Sequence, residues 1–446
     1  MSILKQDLSV SNNSLNGYFP VRTSSGDDSF DWQVAKGVVA RNLYKKTLAK
    51  DLLVKEDGEL SYAKFVRLCR EDFSMRLDEM ELWAYLEDMY FSEDSFYKIA
   101  PECLVFQITK LPATSKKYLL GDLFSSLMQD YFNESPERMK RNFLEQQVID
   151  SLRSPGVLAD FTGSRYSKGI EERPFLPFLT KYFRQDIKFL SDRPAYLIEN
   201  LEELLKLYAY LYTAQLALNI KGFTSEPCAR PLYFIMENEV ASLERSDLVK
   251  NGHQSVSGNL EFIFPYLTMA ETLIDVKKKS TRLPLWEIAS QLTQNDVPKL
   301  KTYAKEFAED RKLFVSFDES NQSPIYWLEQ LLDLSVRQFD KGQGRAGVPS
   351  KIAKITEREF CDTFSRARGR AGKVLVMNQD YLSLLTNLAV GNNDRLRFHE
   401  LLEEFKARGV YFDKKTQQSL IKFYERVGNV ERMSDSGDAV YVRKTV

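Results

Sequence analysis

The stretch "FDKKTQQSLIKFYERVGNVERMSDSGDAVYVRKTV", residues 412–446, decides how the C-terminal end of the chain folds. Its first part predicts a helix that begins at Asp413 and ends at Gly428, because aspartate is a frequent N-cap and glycine a frequent helix terminator. The runs "NVERMS" and "AVYVRK" predict two short strands on either side of a Ser-Gly-Asp turn. A helix followed by a β-hairpin is therefore expected.

The helix predicted from Asp413 has one apolar and one polar face. At about 100° per residue, the side chains that share the apolar face are expected to pack on other helices; they are Leu420, Phe423, Tyr424 and Val427. The opposite stripe is free to meet a partner, and it consists of Lys415, Gln418, Lys422 and Arg426.

Three elements are predicted upstream of this helix. "KVLVM" at 373–377 is typical of a strand, and a first helix is expected from its N-cap Asn378 to Gly391. "DRLRFHELLEEFKARG" predicts a second helix, capped by Asp394 and ended by Gly409. Helix, helix, helix, hairpin is the order of a winged helix-turn-helix domain, which we predict over residues 373–446.

A winged helix-turn-helix domain with a cationic third helix favours contact with double-stranded DNA. Lysine and arginine suit phosphate oxygens, and a glutamine can bond an adenine edge. The predicted DNA-binding residues lie on the third helix, on the hairpin and in an upstream cluster: Lys414, Lys415, Gln418, Lys422, Arg426, Arg432, Arg443, Lys444, Arg366, Arg368, Arg370 and Lys373. Two alternatives stay open, since a charged face can serve solubility alone and a winged helix can dock a protein.

The charge of the chain is distributed unevenly. The formal net charge is −1, which gives the whole protein no bias toward nucleic acid. Residues 341–446 hold 20 Lys and Arg against 13 Asp and Glu, so the remainder of the chain is acidic. Contact with a polyanion is therefore expected to be local to the C-terminal part.

The rest of the chain is predicted to be a helical body, which makes the fold class mostly α. A length of 446 residues predicts two or three domains. We place an irregular arm at 1–30, a helical domain at 31–221 and a second helical region at 222–340. A basic, Gly- and Arg-rich linker at 341–372 then leads to the winged helix at 373–446.

Motifs for catalysis or cofactor binding are weak or missing in the sequence. Gly342, Gly344 and Gly347 match the dinucleotide fingerprint, but they follow a helical run rather than a strand. The four cysteines include no CxxC pair, and only two histidines are present. We expect no cofactor, no metal site, no catalytic residue and no enzyme activity, although a Mg²⁺-dependent nuclease site hidden among the carboxylates ranks as a third possibility.

The composition also predicts where the protein works. "MSILKQDLSVSNNS" lacks the basic and apolar regions of a signal peptide, so a cytoplasmic location is expected. The most apolar segment, Leu207–Ile220, is too short to cross a bilayer of roughly 30 Å, so it predicts a buried core helix and no membrane contact.

Several segments resemble the DptG family, also called DndG. The resemblance is carried by "RPAYLIENLEELLKLYAYLYTAQLALNI" at 193–220, "YFIMENEVAS" at 233–242 and "GNVERMSDSGDAVYVRK" at 428–444. Proteins of this family are accessory subunits of bacterial restriction systems that act alongside phosphorothioate modification of DNA. The resemblance covers most of the chain and includes no catalytic signature.

The resemblance implies a three-part antiviral restriction complex. Its two other subunits hydrolyse ATP, and the complex attacks DNA that lacks sulfur in its backbone. A member similar to this chain would contribute DNA binding and assembly. The alternative is a scaffold that docks the ATPase subunits while DNA is held elsewhere.

Overall fold

The structure of the protein is a computed structural model. The residues that it describes are 2–17, 19–21, 30–53, 61–74, 81–110, 118–129, 131, 142–161, 171–242, 244–276, 281–340, 342–432 and 440–446. These residues are mostly helical, with a few small sheets. The predicted mostly-α class is therefore confirmed at this level.

Contacts between residues divide the chain into two compact units. The first contains Met1–Asp28, Ser167–Phe183 and Lys206–Val446, and the second contains Ser29–Tyr166 and Arg184–Leu205. This grouping differs from the five segments predicted from the sequence, which remain a prediction. The contacts join residues far apart in the chain, and composition does not reveal such pairs.

The second unit is built mainly of short helices. Its elements are α1 (Trp32–Tyr44), β1 (Lys46–Leu48), α2 (Lys50–Leu53), α3 (Ser61–Ser74), α4 (Glu81–Tyr90), α5 (Glu93–Ile99), a 3-10 helix (Pro101–Lys110), α6 (Leu119–Leu127), α7 (Phe143–Leu152) and β2 (Leu158–Asp160). Gly121 lets α6 approach α1 closely, because a Cβ there would lie 2.8 Å from the side chain of Val38. Strands β1 and β2 pair antiparallel.

Longer helices follow, and two of them contribute residues to both units. The elements are β3 (Glu171–Glu172), α8 (Pro177–Ser191), α9 (Pro194–Asn219), a 3-10 turn (Ile220–Gly222), β4 (Tyr233–Met236), α10 (Ser246–Lys250), α11 (His253–Ser257), α12 (Leu260–Leu273), β5 (Thr281–Arg282), α13 (Leu285–Gln291), a 3-10 turn (Gln294–Asp296), α14 (Val297–Asp310), α15 (Pro324–Arg337) and α16 (Val348–Thr356). The buried core helix predicted at Leu207–Ile220 is confirmed, since Tyr208, Tyr210 and Tyr212 are fully buried.

The C-terminal part of the first unit mixes helices with strands. Its elements are a π-helical turn (Glu357–Cys361), 3-10 turns (Asp362–Phe364 and Gly369–Ala371), β6 (Ser365–Ala367), β7 (Lys373–Met377), α17 (Gln379–Val390), β8 (Arg395–Arg397), α18 (Phe398–Ala407), β9 (Tyr411–Phe412), α19 (Lys414–Arg426), β10 (Val430–Arg432) and β11 (Val440–Arg443). The segment predicted as a linker is thus structured. Several of its apolar residues are buried, and they include Ile352, Phe360 and Phe364.

A four-stranded sheet connects the C-terminal part to the body of the first unit. The strand order is β6-β7-β4-β9, with β7 and β9 both parallel to β4 and β6 antiparallel to β7. The strand predicted from "KVLVM" is confirmed as β7, but its partner β4 lies far upstream in the chain. The C-terminal elements therefore share backbone hydrogen bonds with the body.

The three helices and the terminal hairpin predicted from Asn378 onward are present, with one change. Residues Arg395–Arg397, expected to open the second helix behind an Asp394 cap, instead form β8, and the cap of α18 is Arg397. The reason is that Leu396 pairs in register with the buried Val442, which places β8 beside β11. A second antiparallel sheet results, with strand order β10-β11-β8.

Candidate nucleic-acid interface

Helix α19 has the two faces that its sequence predicts, except at one end. The Asp413 side chain accepts a hydrogen bond of 2.9 Å from the backbone N–H of Thr416 and caps the helix. Leu420, Phe423 and Tyr424 are buried, as expected. Val427 was wrongly assigned to this face, because the helix ends at Arg426 and leaves Val427 45% exposed.

The cationic stripe of α19 lies open to solvent. All five predicted residues of this helix are exposed: Lys414, Lys415, Gln418, Lys422 and Arg426. Within the part of the chain that the structure describes, the side chains of the three lysines and Gln418 contact no partner. The Arg426 guanidinium lies 5.8 Å from the centre of the Phe423 ring. Burial of the opposite face thus leaves a row of available donors.

A partly buried ionic network holds the N-terminus of α19 against the loop after β4. Arg245 donates to both carboxylate oxygens of Asp413, at 2.6 and 2.5 Å, and to Glu239 at 3.0 Å. Thr416 donates to Glu239 at 2.7 Å, and only 7% of the Arg245 side chain is exposed. We call these four residues the α19 anchor. Sequence analysis missed it because Arg245 and Asp413 are far apart in the chain.

The charge state of Asp413 follows from its place in the α19 anchor. Burial alone would raise the pKa of this carboxyl group, but hydrogen bonds from Arg245 and from the Thr416 backbone outweigh the burial. The pKa of Asp413 therefore lies below its usual value, and the group is ionised at neutral pH.

The hairpin residues predicted to reach DNA are already engaged. Arg432 forms an ion pair with Glu425 of α19, and Arg443 forms one with Glu431. The Lys444 ammonium donates to the backbone carbonyls of Gly391 and Asn393, at 3.0 and 2.7 Å. Lys444 therefore ties the chain end to the loop after α17. The turn between β10 and β11, residues 433–439, lies outside the described residues.

The face of the three-stranded sheet turned away from its buried residues is rich in arginine. The register puts Glu431, Tyr441 and Arg397 in one row across the sheet, and Arg443 and Arg395 in the next row on that face. We call this surface the arginine face. Sequence analysis missed Arg395 and Arg397 because it placed them in a helix. The alternation Arg-Leu-Arg was the signal for a strand.

Most cations of the upstream cluster predicted to contact DNA already have a hydrogen-bond or ion-pair partner. Arg366 donates to the Asp362 and Ser365 carbonyls at 2.8 Å, and Arg368 donates to the Glu237 carbonyl at 2.6 Å. Lys373 pairs with Glu357 at 2.9 Å, and Glu357 also contacts His253. Only Arg370 of this cluster is exposed without a partner among the described residues.

Outside the cationic surfaces, the described residues were compared with the geometry of a metal site, and they enclose a small cavity. Among them, no group of three or more His, Cys, Asp or Glu side chains is placed to hold a metal ion. A cavity of about 30 Å³, lined by Gly17, Glu172, Glu271 and Arg282 among others, has room for one or two water molecules. Glu271 there accepts the backbone N–H of Gly17 at 2.6 Å, so this carboxylate holds the N-terminal arm.

No protein-family model matches the chain, and no curated protein matches it. Across the described ranges, none of the helices combines the length and the apolar character that a membrane span needs.

Proposed function

We propose that this chain is a non-catalytic DNA-binding and assembly subunit that grips duplex DNA through α19. The observation that carries the proposal is the open row of donors on α19, opposite a face buried by Leu420, Phe423 and Tyr424. Lysines in such a row can neutralise successive phosphates, and Gln418 among them can contact a base edge.

The winged-helix assignment is part of this proposal. The order α17, β8, α18, β9, α19, β10, β11 supports it, with α18 and α19 as the helix-turn-helix motif, β9 as an added short strand between them and the hairpin as the wing. In this assignment α19 is the helix that enters the major groove. The α19 anchor supports the same role, because groove recognition needs a helix held in one orientation.

Membership of a phosphorothioate-dependent restriction complex is proposed from the resemblance to the DptG family. In such a complex the ATP-hydrolysing subunits would be the partners of this chain, and cleavage would be performed elsewhere. Double-stranded DNA is the proposed ligand of the C-terminal part.

A scaffold role is the second candidate, and one surface of the second unit favours it. Leu82, Tyr85 and Met89 recur at i, i+3 and i+7 on α4, and all three side chains are exposed. An exposed apolar row of this kind suits protein docking. In the scaffold proposal, partner subunits cover this row and α19 need not contact DNA.

A salt titration of duplex binding tests the main proposal. The double variant Lys422→Ala/Arg426→Ala should weaken binding to every sequence and lower the slope of log K against log salt by up to about two. Lys5→Ala/Lys250→Ala removes the same charge from exposed positions of the first unit and should leave the slope unchanged. Wild-type protein that binds no duplex at low salt, yet forms a stable complex with its partners, would favour the scaffold.

A further inference from the structure

The arginine face presents three guanidinium groups around one tyrosine and one carboxylate. Its members are Arg395, Arg397, Tyr441, Arg443 and Glu431. The Arg397 Nε–H donates to the Tyr441 hydroxyl at 3.2 Å, and the Arg395 guanidinium lies 4.8 Å from the centre of the same ring. These five residues carry three positive charges and one negative charge, and Glu400 next to Arg397 adds a second negative charge, so the face keeps a net positive charge.

Glu431 accepts from two of these arginines through a single oxygen. The Arg395 Nη1 and the Arg443 Nη2 groups both donate to Glu431 Oε2. The hydrogen bond from Arg395, then that from Arg443, holds the pKa of Glu431 below its usual range, so the group is a carboxylate at neutral pH. An anionic oxygen between two guanidinium groups is also how arginines hold a phosphate oxygen.

We propose that the arginine face is a second binding surface for the phosphodiester backbone of duplex DNA, and that Glu431 occupies its anion position until DNA displaces it. This inference rests on the proposed function. Displacement is feasible because 31% of Arg395, 56% of Arg443 and 32% of Glu431 are exposed, and ion pairs at such exposure are weak. Each arginine released from Glu431 can take a phosphate oxygen.

The arginine face and the cationic stripe of α19 would contact different parts of a duplex. Val442, on the opposite face of the sheet, is fully buried, and Arg432 extends from that face to Glu425 of α19. Arg395 and Arg443 therefore point away from the side on which α19 lies. Phosphates bound there belong to a flank or a second segment of DNA, beyond the groove that α19 would enter. Glu431 thus limits binding at this surface.

The test is the variant Glu431→Gln, which keeps the shape of the side chain and removes its charge. Duplex affinity at low salt should rise by roughly threefold to tenfold, with a salt slope steeper by up to about one. Adding one helical turn of DNA, about 10 base pairs, should increase the gain. Glu403→Gln removes an equal charge from an exposed ion pair with Lys406 on α18 and should change neither quantity.

The paired loss-of-function variant is Arg395→Ala/Arg443→Ala, which should lower the slope by up to about two. Thermal unfolding of each variant establishes that it is folded. If wild type binds duplex and Lys422→Ala/Arg426→Ala weakens it, but Glu431→Gln has no effect, the second surface is overturned and the proposed function stands. Wild type that binds no duplex overturns both.

Discussion

Helix α19 and the segment Arg366–Lys373 are both rich in cations, but they differ in what those cations contact. On α19 the lysines reach solvent without a partner among the described residues. In Arg366–Lys373 two arginines donate to backbone carbonyls and the lysine pairs with Glu357. A cation that already has an acceptor must lose it before it can bind phosphate. Availability, and not the number of positive charges, separates the two regions as candidate DNA-binding surfaces.

The α19 anchor holds the first of these two regions in place. Disrupting it should have the largest effect, a loss of folding stability. Arg245→Met leaves the partly buried carboxylates of Asp413 and Glu239 without their cation, and an unsatisfied polar group of this kind costs about 1–3 kcal/mol. Guanidinium unfolding at neutral pH measures the change. Arg366→Ala, at an exposed position, should stay within about 0.5 kcal/mol of wild type. A loss below about 1 kcal/mol for Arg245→Met would mean that the anchor is not what holds α19.

The next largest effect is expected in DNA binding. It compares the lysines of α19, which have no partner among the described residues, with the upstream cations that already have acceptors. Lys415→Ala/Lys422→Ala removes two unpartnered charges and should weaken duplex binding on the order of tenfold at low salt, with a slope reduced by about two. In Arg366→Ala/Lys373→Ala each lost charge has acceptors of its own, unlike Arg395 and Arg443, which share one Glu431 oxygen, so affinity should change by less than about twofold. Fluorescence anisotropy over a salt series measures both variants. Equal losses in the two would show that existing partners do not restrict the upstream cluster.

The pH dependence of stability should report the α19 anchor through Asp413. Because the pKa of Asp413 is lowered in the folded protein, its ionised form stabilises the fold above the unfolded value of about 4. That stabilisation is lost as the pH falls through the lower, folded pKa. The difference in unfolding free energy between wild type and Asp413→Asn should therefore be largest near neutral pH and shrink below about pH 4. Urea unfolding over a pH series measures it, and a constant difference would contradict the assignment.

Local signals explain what the sequence predicted correctly in the C-terminal part. Asn378 and Asp413 cap their helices as expected, and Gly391, Gly409 and Gly428 end helices with positive φ angles of 57°, 85° and 76°. A cap or a left-handed glycine depends only on neighbouring residues. The alternation of apolar and cationic positions on α19 was readable for the same reason.

Non-local contacts explain what the sequence did not predict. The pairing of β7 and β9 with β4 joins residues more than a hundred positions apart. The sequence "KVLVM" does not indicate which strand it pairs with. The ion pair between Arg245 and Asp413 has no signal in either segment. Strand β8 is only three residues long and directly precedes a helix. The helical pattern of the following residues therefore predicts a helix at this position as well. The arginine face was missed as a consequence.

Substitution of Val427 should have the smallest effect on the free energy of unfolding. It tests where the packed face of α19 ends. The helix terminates at Arg426, and Val427 is 45% exposed while Leu420 is fully buried. Val427→Ala should change the unfolding free energy by less than about 0.5 kcal/mol, whereas Leu420→Ala should lower it by about 2–5 kcal/mol because a cavity is left in the core. Denaturant unfolding of both variants measures the contrast. A loss above about 1 kcal/mol for Val427→Ala would mean that the packed face continues past Arg426, as the helical period alone predicted.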